Sequence, residues 1–101
     1  MICKIPNKVM QIAPSARIAE NATLVGEVEI SPDASIWYGA VLRGDAGAIR
    51  IGCRCAVEDN VTIHGRVILG DDTVVGHNAV VHGCTVGRSC QIGRASCRER
   101  V

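Results

Sequence analysis

Residues 12–42 read IAPSARIAENATLVGEVEISPDASIWYGAVL, and an aliphatic side chain returns at every sixth position of this stretch. The aliphatic residues of this first block are Ile12, Ile18, Leu24, Ile30, Ile36 and Leu42. After a gap of nine, the same spacing resumes in a second block at Ile51, Val57, Ile63, Leu69, Val75 and Val81. Four positions after each aliphatic residue stands a small or β-branched one, from Ala16 to Ala46 and then from Cys55 to Thr85. The spacing predicts an internally repeated fold.

A period of six fits neither an amphipathic helix, with about 3.6 residues per turn, nor a strand that alternates every second residue. It fits an all-β solenoid shaped as a triangular prism, with one hexapeptide on each side and roughly 18 residues in each coil. The aliphatic side chains are expected inside the prism, and parallel strands are expected to join successive coils. Aromatic residues make up 2% of the chain and Phe is absent, so the core should be narrow and aliphatic.

Length and charge exclude several classes of protein. A chain of 101 residues allows one domain. Its 11 basic and 10 acidic residues give a net charge of +1, which offers nothing to a nucleic-acid partner. No apolar run is long enough to span a membrane, and no signal peptide follows Met1. The six cysteines lack the paired spacing of a secreted disulfide scaffold, so we predict a cytoplasmic protein without a membrane partner.

The pattern divides the chain into three parts. We assign residues 1–11 to a lead-in, residues 12–91 to the β-helix and residues 92–101 to a segment foreign to the repeat. The last segment can be back-translated as ATC GGA AGA GCG TCG TGT AGG GAA AGA GTG, which resembles a common sequencing adapter. We therefore interpret residues 92–101 as a translated artefact, excluded from the fold, and expect the β-helix to be truncated at its C-terminal end.

All three histidines lie in the second block. His64 and His82 are one full coil apart, and each follows an inward aliphatic residue, so both imidazoles should point outward from one prism face. Stacked strands put them about 5 Å apart, which suits two ligands of one metal ion. His77 should lie on another side of the coil and reach such a metal only from a neighbouring chain around a threefold axis. Three imidazoles with an open position are typical of catalytic zinc; the alternative is three ordinary surface histidines.

Three segments carry a family resemblance: residues 35–45 (SIWYGAVLRGD), residues 58–64 (EDNVTIH) and residues 76–84 (GHNAVVHGC). They resemble the γ-class carbonic anhydrases, which are hexapeptide-repeat proteins folded as a left-handed parallel β-helix. The resemblance implies a homotrimer in which His64 and His82 of one chain join His77 of the next around Zn, alternatively Fe or Co. It also implies reversible hydration of CO2 to bicarbonate at the trimer interfaces. An Arg43–Asp45 salt bridge is implied as an organiser of those interfaces.

The chain departs from that family at three positions. Ala46 stands where active members carry a Glu used in proton transfer, Glu58 replaces a Gln, and Ala56 replaces an Asn. We predict that Glu58 serves as a general base instead. Asp59 stands one full coil before His77 and is predicted to orient its ring as a hydrogen-bond acceptor.

Two other functions remain open from the sequence. The first is a hexapeptide acyltransferase or metal-dependent thioesterase acting on acyl-CoA. The second is a catalytically silent trimeric scaffold that uses metal only to hold its subunits together. The absence of a carboxylate at Ala46 keeps the scaffold open as an alternative to the hydratase.

Overall fold

The computed structural model describes residues 1–93, in which every regular element is a β-strand. The strands are β1 (Ile2–Cys3), β2 (Met10–Ile12), β3 (Arg17–Ile18), β4 (Thr23–Ile30), β5 (Ser35–Ile36), β6 (Val41–Ile51), β7 (Ala56–Val57), β8 (Thr62–His64), β9 (Val67–Leu69), β10 (Val74–Val75), β11 (Val80–His82), β12 (Thr85–Val86) and β13 (Gln91–Ile92). Within this part of the chain no helix offers the length and apolarity needed to cross a bilayer.

The strands form the three faces of a prism, and every pairing between them is parallel. The first face contains β1, β4, β6, β8 and β11. The second contains β2, β9 and β12 together with the later halves of β4 and β6, which bend around a corner. The third is the five-stranded sheet β3-β5-β7-β10-β13. Successive coils are joined by backbone hydrogen bonds, as the period of six predicts.

The interior of the prism is aliphatic. Leu24, Leu42, Ile63 and Val81 stack on the inner side of the first face, and each has no exposed surface. Equivalent columns line the other two faces, and Thr73 is the buried polar residue among them. Because residues alternate across each strand, the neighbours of these aliphatic side chains point outward.

The nine-residue gap in the repeat is a three-residue insertion in β6. Gly26 pairs with Gly44 and Val28 with Ile49, so residues two apart in β4 face residues five apart in β6. The insertion interrupts the regular placement of a small residue four positions after each aliphatic one. Ala46 is exposed in the insertion, and the fully buried Ile49 occupies the inward position.

Two glycines make the insertion compatible with a tight corner. Gly26 has a φ of +76°, and a Cβ on Gly44 would overlap the backbone carbonyl oxygen of Glu27. The backbones of adjacent coils therefore approach too closely there for any side chain. This close approach directs the extra residues of β6 outward.

A second register shift follows His82. His82 pairs with His64, one full coil earlier, whereas Val86 pairs with Leu69, so the coil is one position shorter there. Thr85 therefore pairs with Ile68, and the buried residue of this strand is Val86. β13 continues the third face by pairing with β10. Residues 94–101, most of the segment interpreted as an adapter artefact, lie outside the described residues.

Candidate functional site

His64 and His82 stack on the outer side of the first face. They occupy equivalent positions of β8 and β11, and their ring centroids are 5.0 Å apart with planes tilted by 35°. Ile63 and Val81 before them are fully buried, so strand alternation turns both imidazoles outward. The separation matches the one expected for residues one full coil apart.

Arg43 lies one coil below this pair. It faces His64 across the β6–β8 pairing, so Arg43, His64 and His82 form one outward column, which we call the His face. The contact between Arg43 and His64 can be found from the sequence when the nine-residue gap is counted, because a regular coil of 18 residues would not pair them. The nine-residue gap lengthens one coil, and that longer coil separates Arg43 from His64.

Asp45 ties Arg43 to the insertion. Its Oδ2 accepts a hydrogen bond of 3.0 Å from Arg43 Nη2, and this bond is the main cause that lowers the pKa of Asp45. The nearby imidazole of His64 acts in the same direction. The other oxygen, Oδ1, is enclosed and has no hydrogen-bond partner among the described residues. A buried acceptor without a donor is costly and therefore rare, and Asp45 Oδ1 is an atom that residues 1–93 leave unsatisfied at this corner.

His77 lies away from the His face, on the turn before β11. Its side chain is 73% exposed, and its Nδ1 is 3.7 Å from Oε1 of Glu58. These two residues, with Asp59, Asn60, Asn78 and Trp37, line an open cleft of about 500 Å³, which we call the His77 cleft. Glu58 therefore accompanies His77 and not His64.

Asp59 occupies the coil below His77. The backbone N–H of Asn78 donates to the carbonyl of Asp59 over 2.9 Å, which places the two turns in register. Within residues 1–93, the ion-pair contact of His77 goes to Glu58, and none joins His77 to the carboxylate of Asp59. Spacing along the coil identified the right turn, whereas side-chain direction within the turn decides which carboxylate meets the ring.

The stacked pair fits two positions of a metal site but not a whole one. A tetrahedral ion with metal–nitrogen bonds of about 2.0–2.1 Å holds the centroids of two imidazoles roughly 5 Å apart. Across residues 1–93, however, no three His, Cys, Asp or Glu side chains gather closely enough to hold a metal ion. His64 and His82 can thus supply two neutral nitrogen ligands, and a third must come from outside this set.

The amino-acid sequence is similar to a protein family and to several known proteins. Residues 48–83 match the family described as bacterial transferase hexapeptide (six repeats). The chain is 39% identical over 100 residues to gamma carbonic anhydrase 3, mitochondrial, of Arabidopsis thaliana, covering 89% of this chain and 39% of that protein. It is 42% identical over 64 residues to a carbonic anhydrase of Geobacillus kaustophilus, covering 63% of this chain and 35% of that protein. The chain therefore spans well under half the length of these relatives.

A solved structure supports the architecture. A Bacillus cereus protein assigned as an acetyltransferase superposes with a TM-score of 0.67 at 24% identity, covering 91% of this chain and 74% of that one. The likeness concerns the fold alone and confirms an all-β, left-handed parallel β-helix of hexapeptide repeats. The repeat register and the relatives above lead to one assignment: the chain belongs to the γ-carbonic anhydrase-like family of hexapeptide-repeat proteins.

Proposed function

We propose that the chain is a subunit of a homotrimeric γ-carbonic anhydrase-like enzyme that hydrates CO2 reversibly to bicarbonate. The observation that carries the proposal is the His64–His82 stack at 5.0 Å on an outward face. Relatives named as carbonic anhydrases support the reaction class. Zn is the proposed metal, with Fe or Co as alternatives because imidazole accepts each of them.

The incomplete ligand set is the reason for proposing an assembly of several chains, and the threefold number is what the resemblance to γ-class carbonic anhydrases implies. His64 and His82 supply two nitrogens, and the remaining histidine of the chain, His77, is exposed in a separate cleft. A third imidazole at the His face would therefore be that of a neighbouring chain. A closed ring of three chains repeats this contact once per subunit and leaves no ligand unused.

The bound metal would supply Lewis acidity that activates water at neutral pH. The residues of the chain have supporting parts in this proposal. Buried Ile63 and Val81 hold the two imidazoles in one orientation, and Arg43 supports the column from below with its position fixed by Asp45. This preorganisation fixes the orientation of both rings toward the proposed metal.

Hydration of CO2 releases one proton in each cycle, and Glu58 is the proposed acceptor. Its carboxylate is 40% exposed, so it can exchange protons with solvent, and it accompanies His77 to the proposed interface. Ala46 provides no carboxylate, and the carboxylate of Asp45 is engaged by Arg43, which leaves this role to Glu58. Asp59, in the same cleft, is proposed as a positioning residue for the turn that carries His77.

The alternatives make different predictions. An acyltransferase needs a histidine base that is not engaged by metal, and its support here is a likeness of fold alone. A silent scaffold would bind metal without turnover. The cytoplasmic location also stays a prediction, since the Arabidopsis relative is named as mitochondrial.

Mixing of variants tests the interfacial site directly. We expect one metal ion per chain in a trimer of the wild-type protein, and loss of metal and CO2 hydration in either His77→Ala or His82→Ala. When these two variants are unfolded together and refolded, an interfacial site regains ligands because one chain supplies His64 and His82 and the other supplies His77. Metal per chain, light scattering and stopped-flow CO2 hydration are the measurements, with Arg54→Ala as a surface control. Recovery of neither metal nor activity in the mixture would contradict the proposal.

A further inference from the structure

We propose that Tyr38 is a contact residue between the chains of the trimer, and that it packs on Val25 and Arg43 of the neighbouring chain. The inference rests on the proposed function, from which it takes the contact of His77 with the stacked imidazoles of the next chain. It extends that function by giving the ring of three chains a contact that needs no metal.

Tyr38 occupies the same position in its turn as His77 does two coils later. The turns follow paired residues of the third face, each two positions before the residue in question, namely Ile36, Val57 and Val75. The N–H of Asn60 donates to the carbonyl of Tyr38 over 2.9 Å. One coil later, the N–H of Asn78 donates to the carbonyl of Asp59 over 2.9 Å. Tyr38, Asp59 and His77 therefore form one column along the corner.

The surface proposed to receive His77 repeats from coil to coil in the same way. Its outward positions pair in register along the first face, in the order Val25, Arg43, His64 and His82. Val25 belongs to this outward column because Leu24 before it is fully buried. Two coils below the His64–His82 pair therefore lies the Val25–Arg43 pair.

The symmetry of the proposed ring connects these two columns. A ring of three chains whose axis runs along the prisms holds equivalent coils at equal heights. This orientation suits the proposed site, because His77 and His82 belong to the same coil and so meet at one level. A shift of two coils, about 10 Å along the prism, replaces His77 with Tyr38 and the imidazole pair with Val25 and Arg43. The packing that brings His77 to the metal therefore brings Tyr38 onto Val25 and Arg43.

The two surfaces are chemically complementary. Arg43 donates from Nη2 to Asp45 over 3.0 Å, and its side chain is still 49% exposed, so the flat side of the guanidinium can lie against an aromatic ring. Tyr38 is 52% exposed and supplies that ring, while the partly buried Val25 adds apolar surface beside it. Exposure alone does not select Tyr38; its position two coils below His77 does.

Dilution of the metal-free protein tests the contact, because metal then contributes nothing to association. We expect wild type to remain a trimer, and the concentration at which half of it dissociates to rise about tenfold in Tyr38→Ala, since aromatic anchors dominate interface energetics. Val9→Ala is the matched control, because Val9 is 58% exposed but lies by the second face, and it should leave this concentration unchanged. Tyr38→Phe keeps the ring and should stay within about twofold of wild type.

A double-mutant cycle tests the contact with the neighbouring chain. Val25→Ala should also promote dissociation. The variant that combines Tyr38→Ala with Val25→Ala should dissociate less than the product of the two single fold-changes predicts, because both changes remove one contact. Light scattering measures the mass, and the fluorescence of Trp37, the only Trp, reports the same transition beside Tyr38. Tyr38→Ala should keep the circular dichroism of wild type, since the side chain is exposed in the single chain.

Several outcomes would overturn the proposal. They are multiplicative effects of the two variants, a Tyr38→Ala protein that dissociates like wild type, and a metal-free wild type that is monomeric at every concentration. Loss of the circular dichroism signal in Tyr38→Ala would make Tyr38 a residue that supports the fold of the single chain, and would also overturn the contact. Metal content and CO2 hydration are measured separately. A coupled trimer without turnover would reject the enzyme and keep this inference, whereas an active trimer without coupling would do the reverse.

Discussion

The corner that carries Arg54 and Asp72 and the face that carries His64 and His82 are built by the same stacking of one coil on the next. At the corner, Arg54 donates to both carboxylate oxygens of Asp72, over 2.7 and 3.1 Å, so the stacked side chains satisfy each other. On the His face the stack brings together two like groups, 5.0 Å apart, which repel each other when both are protonated. The corner pairs opposite charges, whereas the His face stacks two like groups. Its arrangement is better explained by binding.

The largest effect is expected from Ile63, the buried residue that precedes His64 in β8. Ile63→Ala removes a fully buried side chain and should lower the free energy of unfolding by about 2–5 kcal/mol, because the narrow prism has little else to fill the cavity. Ile68→Ala is the matched control, since Ile68 lies on the outer side of β9 and is partly exposed. Urea unfolding curves measure both. Equal decreases in the free energy of unfolding for the two variants would contradict the view that buried Ile63 supports the His face.

The two Asp residues that bind Arg provide a second test of the comparison. Asp45→Asn and Asp72→Asn each weaken an Arg–Asp pair, but only Asp45 has an enclosed oxygen without a partner among the described residues. An amide must either turn its NH2 toward Arg43 or bury it beside no acceptor, so we expect roughly twice the decrease in urea midpoint for Asp45→Asn.

The metal content of the same two proteins separates function from stability. Asp45→Asn should also reduce metal retention, since it disturbs the column beneath His64, and Asp72→Asn should not. Similar midpoints and similar metal contents in the two variants would show that the His face and the Arg54 corner do not differ in the way proposed.

Much of this contrast could be predicted before the structure. The period of six identified the prism, and the spacing between His64 and His82 placed their rings on one face at the observed distance. These features depend only on the backbone repeat, which the aliphatic positions define. The insertion in β6 was visible as a gap of nine, but the choice of Ile49 over Ala46 as the buried residue depends on the close approach of Gly44 to Glu27.

The directions of the side chains were harder to predict from the sequence. Asp59 lies in the turn below His77 as its spacing indicates, yet the ring meets Glu58, because in a turn the regular alternation of a strand no longer fixes where side chains point. A contact between chains cannot be predicted from the repeat, because a repeat within one chain carries no information about packing between chains. The third ligand therefore rests on the resemblance and on the exposure of His77.

Replacing one histidine of the His face by a carboxylate creates an ion pair like that of the Arg54 corner, and so tests the difference between the two regions. His64→Asp places a carboxylate between Arg43 and His82, so the column acquires opposite charges in sequence. The thermal midpoint of the metal-free variant should equal or exceed that of the metal-free wild type, because an exposed ion pair adds up to about 1 kcal/mol to the free energy of unfolding.

Metal retention should be lost in the same variant, because one of the two stacked imidazoles is gone. His64→Ala serves as the control, since it removes the ligand without adding charge. A lower midpoint for His64→Asp than for His64→Ala would contradict the view that the natural column forgoes stability in order to bind.

The smallest expected effect is the pH dependence of the Arg54 corner. The hydrogen bonds from Arg54 lower the pKa of Asp72 below that of the unfolded chain, which is about 3.9. The stabilisation from this carboxylate is therefore fully present above that value and is lost as the pH falls through the lower folded pKa. Wild type should be more stable than Asp72→Asn at pH 6, and the thermal midpoints should converge toward pH 2. Because the pair is exposed, salt should shrink the difference. Coincident curves would instead assign the stabilisation to hydrogen bonds that the amide retains, and the corner would owe its stability to stacking geometry and not to charge.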